Sequence, residues 1–376
     1  MGGQAFAHIK GVVCPRMSPE HYHWIRSHLS NTLEKLFIFV TVPREAPGKK
    51  DYGDIDFLVS HQVLLTNPSD VLPEELIRLP DMWTHIEHLF KAKHHISHSL
   101  THSYAVPHWF VDGAFVQVDI ELSPGQNTPE CKQLFEWTKF MKSDADLLQI
   151  IGICHKPLGL TCNDKGLHVR LEQIEPYNKK KALLFLTLDP EEAMSFYRFD
   201  TTKYKAGFHT EEELFDWVIN GRFFSRDVFE GRIEKANDRA RQNKRPMYKR
   251  FVEEYMASHL DIGKSTWTRA EVLEQALETF NVRATYQAMI EEHNTKEAEE
   301  VLWKEIREAL PLELQNAALG LVLKGLRRWV VFEDGEINSS PTVQSFPAIF
   351  SSTTLCSSLP FASRQNSIPF AKRLGC

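Results

Sequence analysis

The run Gly53-Asp54-Ile55-Asp56-Phe57-Leu58-Val59 constrains this chain more than any other segment. Its apolar residues read as a buried strand, yet two aspartates stand inside it, two positions apart. Strand side chains alternate between faces, so Asp54 and Asp56 project from the same side. Aspartate is depleted in strands, and two neighbouring carboxylates repel unless a cation sits between them. Hard divalent cations such as magnesium accept oxygen ligands of this kind and leave room for water and phosphate oxygens. A turn competes for the first aspartate, because Asp51-Tyr52-Gly53-Asp54 is good turn chemistry. It does not account for Asp56, which is set between Ile55 and Phe57-Leu58-Val59.

A second acidic strand follows at Gln117-Val118-Asp119-Ile120-Glu121-Leu122. If it lies beside the first, Asp119 reaches the same ion, with Glu121 facing the same way. Three carboxylates suit a two-metal site for phosphoryl or nucleotidyl transfer, one ion serving the attacking hydroxyl and the other the leaving pyrophosphate. Near the start of the chain stands Gly2-Gly3-Gln4. Glycines let a backbone approach phosphate oxygens with amide groups aimed at the charge.

The chain has 376 residues, a length that favours two packed domains. Up to about residue 190 helix and strand signals mix. Ser18-Pro19-Glu20 starts a helix, and Tyr22, Ile25, Leu29, Leu33 and Leu36 form one apolar stripe. Leu36 to Val42 and Ile55 to Val59 read as strands. Glu74 to Lys91 is helical in pattern, broken at Pro80. Tyr104–Val106 and Ala114–Leu122 pair as strands across the hairpin signal Asp112-Gly113. Two helices fit within Pro129–Ile153, and strand-like runs recur at Leu167–Leu171 and Ala182–Leu188.

From Asp189-Pro190 onward the pattern is helical, with capping-box pairs at Thr210/Glu213 and Thr268/Glu271 and a last apolar helix from Pro311 to Trp329. After Val331 no period survives. The expected architecture is therefore α+β: a mixed sheet flanked by helices over 1–190, a helical domain over 191–330, and a disordered tail over 331–376.

Forty-two per cent hydrophobic and 25% charged residues describe an ordinary globular chain, not a collagen-like or wholly disordered one. With 44 Lys and Arg against 50 Asp and Glu, the net charge of -6 argues against a globally basic nucleic-acid binder. No apolar run is long enough to span a membrane, and the first residues lack a signal-peptide pattern. The six scattered cysteines include no CxxC pair and read as reduced thiols. An intracellular setting, cytoplasmic or nuclear, with no membrane partner, is the expectation.

Two clusters invite function and have plainer readings. His94, His98 and His102 are spaced as on one helix face and could bind zinc, but the serines and threonines among them favour a polar loop. Residues 222–250 carry ten Lys or Arg against four acids. That is ordinarily a solvated helix face, and could instead hold an RNA or protein acceptor. Cys154 and Cys162 flank Pro157-Leu158-Gly159, and sequence gives neither a base partner.

The glycine pair, the Asp54-x-Asp56 strand and the later Asp119 together resemble the DNA polymerase beta-like nucleotidyltransferase superfamily. More narrowly, Gly2-Gly3-Gln4-Ala5-Phe6, Tyr52-Gly53-Asp54-Ile55-Asp56, Val116-Gln117-Val118-Asp119 and Asp146-Leu147-Leu148-Gln149-Ile150-Ile151-Gly152 are similar to uncharacterised fungal nucleotidyltransferase-like proteins. The resemblance spans roughly residues 1 to 230. It implies a nucleotidyltransferase-type sheet and transfer of a nucleotidyl group from a nucleoside triphosphate to a hydroxyl. Asp54, Asp56 and Asp119 would be the catalytic, metal-holding carboxylates. Magnesium would be the cofactor, with manganese as substitute, and Gly2, Gly3 and Gln4 would cradle the nucleotide's phosphates. Here Gly3 and Asp54 stand 51 residues apart, farther than the superfamily usually sets them, so the intervening chain has to fold back.

Two other readings use the same residues. One is a catalytically inactive relative serving as a binding or scaffold module. The other is a glycosyltransferase holding manganese and a nucleotide sugar through Asp54 and Asp56, which needs a longer nucleotide-binding unit upstream than this chain carries.

Overall fold

The structure is a computed structural model and describes residues 3–62, 81–126, 128–230, 245–310, 316–328, 330–333 and 336–339. It divides into two compact units, Met1–Val282 and Arg283–Cys376. The boundary expected at 190/191 lies inside the first of these.

In the first unit, α1 (Pro19–Leu33) begins as its sequence demands: Pro19 occupies the first turn, and Ser18 Oγ accepts the His21 N–H at 3.3 Å. Its stripe of Tyr22, Ile25, Leu29 and Leu33 is buried. The strands β1 (Phe37–Thr41), β2 (Asp54–Gln62), β3 (His94–His98), β4 (Thr101–Pro107) and β5 (Phe115–Leu122) form a five-stranded sheet of order β1-β2-β5-β4-β3. Only β2 and β5 run parallel; the other neighbours are antiparallel, so the sheet is mixed. Helix α2 (Met82–Leu89) follows Asp81, whose Oδ1 accepts the Trp83 and Thr84 N–H groups at 2.8 and 3.0 Å. The earlier part of the helical pattern expected from Glu74 lies outside the described residues.

One face of the sheet is sealed. Ile55, Phe57 and Val59 of β2 join Val118 and Ile120 of β5, beneath the stripe of α1 and Ile86 of α2, all at most 1% exposed. Each such side chain contributes about 1.5–3 kcal/mol by leaving water. The opposite face is covered only in part. There α3 (Cys131–Lys142) packs Phe135 on Phe39 of β1 at 5.4 Å between ring centroids, and Cys131 Sγ lies 3.0 Å from Ser60 Oγ. That covers the far end of β2 and leaves its beginning open.

The histidine segment departs from both readings given it. His94–His98 and Thr101–Pro107 are paired strands with register His98↔Thr101, neither a helix face nor a loop. The turn is Ser99-Leu100, with Ser99 at φ 56°, a left-handed conformation that no glycine announced. His95 Nε2 lies 2.9 Å from His102 Nδ1, and His102 stacks on Trp83 at 3.7 Å.

Beyond α3 come α4 (Leu147–His155) and a separate three-stranded sheet, β6 (Leu160–Asn163), β7 (Gly166–Arg170) and β8 (Leu183–Thr187). Then follow α5 (Pro190–Phe196), α6 (Thr201–Ala206), α7 (Glu211–Ile219), α8 (Asp227–Glu230), α9 (Pro246–Arg250) and α10 (Arg269–Thr279). Asp189, Thr210 and Thr268 cap α5, α7 and α10; at Thr268 the capping box with Glu271 is complete. Arg44 ties the β1–β2 loop to this helical layer and to the turn after α3. Arg44 donates to Asp144 Oδ2 from Nε at 3.2 Å and Nη2 at 2.7 Å, and from Nη1 to the Tyr204 carbonyl at 2.5 Å. Its guanidinium also lies 4.1 Å over the Tyr204 ring.

The second unit contains α11 (Arg283–Ala309) and α12 (Asn316–Leu326), where Trp303 and Ile306 pack with Leu323 and Leu326. Residues 311–315 of the apolar helix expected from Pro311 lie outside the described residues. At the start of the stretch expected as a tail, β9 (Val330–Glu333) pairs antiparallel with β10 (Glu336–Ser339). Val330, Val331 and Phe332 favour a strand, and Asp334-Gly335 is a hairpin dipeptide in the sequence between them. The remainder of 331–376 lies outside the described residues. Among the described residues no helix is long and apolar enough to cross a membrane.

Candidate metal centre

The open end of β2 is where the acidic pattern falls. Because β2 and β5 are parallel with register Asp54↔Gln117 and Asp56↔Asp119, Asp54, Asp56, Gln117 and Asp119 share one face. The alternate positions, Ile55 and Val118, turn into the sealed core. Asp54, Asp56 and Asp119 each bring one carboxylate oxygen within 4.8 Å of the others, and among the described residues they are the one such group of metal-ligating side chains.

The N-terminal segment reaches this end of the sheet. Gly3 N–H donates to Asp54 Oδ2 at 3.1 Å, and Ala5 N–H donates to Gln117 Oε1 at 2.8 Å. Farther along, the Phe115 N–H of β5 donates to the Val13 carbonyl at 2.9 Å. The 51-residue interval is thus spanned by a return of the chain, as the spacing required. Gly3 is at φ +79°, and a Cβ there would stand 2.5 Å from the Gly53 carbonyl oxygen, so this approach needs glycine. Gly2 lies outside the described residues, and the Gln4 side chain is exposed.

The electrostatics are those of crowded anions. Although the residue is partly open to solvent, crowding of the Asp56 carboxyl by surrounding protein, reinforced by Asp54 and Asp119, pushes its pKa up to about 7. Glu45 adds to the rise and Lys142 opposes it. Asp119 is also raised, first by burial, while the neighbouring Ser103 hydroxyl and Gln117 amide favour its charged form. Gln117 Nε2 donates to Asp119 Oδ2 at 2.8 Å, whereas Asp119 Oδ1 is buried without a hydrogen-bond partner. A lone buried carboxylate oxygen is costly unless something electropositive meets it. Converging oxygens, raised carboxyls and an orphaned acceptor fit a hard divalent cation.

Glu121, which shares the face in sequence, does not join this group; it takes Lys142 Nζ at 2.6 Å. Two polar neighbours escaped the sequence reading: Gln117, whose amide bridges the N-terminal segment and Asp119, and Lys142, which comes from α3. Position 117 did carry a signal, a buried polar residue two before Asp119 in an apolar strand.

The described members of the basic run are engaged elsewhere. Arg245 pairs with Asp146 at 3.0 Å, and Arg250 reaches Glu211 and Glu212 at 2.6 and 2.7 Å. Arg226 Nη1 donates to the His259 carbonyl at 2.7 Å, and Arg222 lies over Phe196 and Phe223 at 4.5 and 4.6 Å. Arg232, Lys235, Arg239, Arg241 and Lys244 lie outside the described residues. Cys154 and Cys162 are free thiols, and burial pushes Cys162 up to about 12, which makes it a poor nucleophile. A cleft of about 520 Å³ beside Trp303 and Arg327 in the second unit contains none of the three aspartates.

No family model matches this chain, and no curated protein matches it either. Among solved structures, a ternary gap complex of Leishmania infantum polymerase beta is similar with a TM-score of 0.27 and 15% identity, over 54% of this chain and 67% of that one. At that overlap the likeness carries no argument about function, which rests on the geometry of the site itself.

Proposed function

We propose that the first unit is a metal-dependent nucleotidyltransferase, moving a nucleotidyl group from a nucleoside triphosphate to a hydroxyl acceptor. The observation that carries this reading is the meeting of Asp54, Asp56 and Asp119 across a parallel strand pair, with ligand oxygens within 4.8 Å. These three would hold magnesium, or manganese in its place. Such ions, when bound, neutralise the triphosphate's charge and make an acceptor hydroxyl more acidic. Gly3 supports the reading by placing a backbone amide at the edge of the carboxylate cluster without a side chain in the way. Lys142, held by Glu121 at 2.6 Å, supplies a positive charge near Asp56 that can help seat an anionic substrate.

One observation favours the inactive, ligand-binding relative as a second reading. The Gly3 amide is already spent on Asp54 Oδ2, so a phosphate has to displace that bond. Pyrophosphate release with α-labelled nucleoside triphosphates, magnesium or manganese, and RNA, protein or small hydroxyl acceptors separates the two. Transfer that disappears in Asp54→Ala/Asp56→Ala supports the enzyme. Nucleotide binding by calorimetry without any transfer supports the binding module, and equal transfer in the double variant sinks the proposal.

A further inference from the structure

We infer that Gln117 is a positioning residue for Asp119, an assignment that rests on the metal-site reading and deepens it. Gln117 is only 4% exposed and sits between two groups of fixed character. On one side the Ala5 N–H can only donate, and it meets Oε1 at 2.8 Å. On the other side a carboxylate accepts, and it meets Nε2 at 2.8 Å. Turning the amide over would oppose two donors at Ala5 and two acceptors at Asp119, so its orientation is forced. The backbone at the start of the chain therefore selects which end of Gln117 faces Asp119. In turn Gln117 occupies Oδ2 of Asp119 and leaves Oδ1 without a partner.

The same segment anchors the other strand, since Gly3 N–H donates to Asp54 Oδ2 at 3.1 Å. Gln117 is the register partner of Asp54 on β2 and stands two residues before Asp119 on its own strand. It thus holds the Asp119 carboxylate by its Oδ2 atom and leaves Oδ1 as the unpartnered oxygen. Residues that orient a ligand in this way set metal affinity without touching the metal.

The test is a double-mutant cycle read by manganese binding, with free Mn2+ followed by electron paramagnetic resonance up to the millimolar range. Gln117→Met keeps the volume and removes both hydrogen bonds. It is expected to weaken Mn2+ binding by about tenfold, while Asp119→Asn weakens it at least as much. The combined variant should bind no more weakly than Asp119→Asn alone, because Gln117 acts through Asp119. Unchanged affinity in Gln117→Met overturns the inference. So does a further tenfold loss in the combined variant, which would mean that Gln117 merely holds the N-terminal segment. Gln117→Asn, still polar but too short to span both partners, gives the same readout if the methionine variant does not fold. An Asp119-dependent loss without nucleotidyl transfer by the unaltered chain leaves the positioning role standing and removes the enzymatic reading. No Mn2+ binding by the unaltered chain overturns both.

Discussion

The two faces of the β2–β5 pair differ as sharply as any two regions of the molecule, although they are built from the same two strands. On one face Ile55, Phe57, Val118 and Ile120 are at most 1% exposed beneath α1 and α2. On the other, one residue away in each direction, Asp54, Asp56 and Asp119 crowd their oxygens within 4.8 Å of one another. The apolar face supplies the free energy that holds the strands in register. That register brings repelling carboxylates together on the reverse side. Stability and chemistry are thus separated by side-chain parity rather than by distance.

Substitutions on opposite faces test this separation. The largest expected effect is on the acidic face: Asp54→Ala should lower transfer by a thousandfold or more, on the order of 4 kcal/mol of barrier, with the fold retained. Steady-state rates beside urea denaturation check it; a lost fold in this variant would break the separation. Across the strand, Phe57→Ala should do the reverse, costing about 3–5 kcal/mol of stability through the cavity it leaves. Denaturant titration reads that cost directly, and a loss below 1 kcal/mol would show that the sealed face is not what fixes the register.

A smaller effect is expected where the N-terminal segment meets the strand. Gly3→Ala forces a side chain into a left-handed conformation against the Gly53 carbonyl, and should loosen that contact by about 1–2 kcal/mol. Faster hydrogen exchange at the Gly3-to-Ala5 amides, with core amides unaffected, is the signature.

The smallest is a pH effect. The folded-state pKa of Asp56, about 7, lies above the ordinary 3.8, so the folded chain holds this proton more tightly than the unfolded one. The stability this contributes is present below pH 3.8 and is lost as pH rises through 7. Asp56→Asn removes the dependence. In metal-free buffer it should be more stable than the unaltered chain at pH 8 by about 1 kcal/mol, solvent screening at this open position having reduced the full shift, and no different near pH 4. Equal gaps at both pH values would detach carboxylate crowding from stability.

What was legible in the sequence followed local chemistry. Ser18-Pro19, Asp189-Pro190 and Thr268/Glu271 mark helix starts through bonds within one turn, and Asp112-Gly113 marks the β4–β5 turn where Gly113 takes φ 74°. Parity alone put Asp54 and Asp56 on one face. The placement of Asp119 beside them needed the parallel pairing of β2 with β5, two strands with α2, β3 and β4 between them in sequence. The β3–β4 hairpin stayed hidden because its turn, Ser99-Leu100, lacks the glycine, asparagine or aspartate that signals a two-residue hairpin, while histidines at spacings of four imitate a helix. Gln117 and Lys142 were illegible in their roles, since both are defined by partners far along the chain: Ala5 for the one, Glu121 for the other. Such contacts arise from the folded topology and leave no periodic trace.

The Arg44 clamp bears on how this protein can be cut. The loop that delivers β2 to the carboxylate cluster is fastened at Arg44 to Asp144, and through the carbonyl and ring of Tyr204 to a helix beyond residue 190. A fragment ending at 190 would keep all three aspartates and lose the Tyr204 half of that fastening, leaving the guanidinium over a missing ring. Trimming for crystallisation or isotope labelling should therefore be made after Val282, where the first unit ends, so that the anchor travels with the site it steadies.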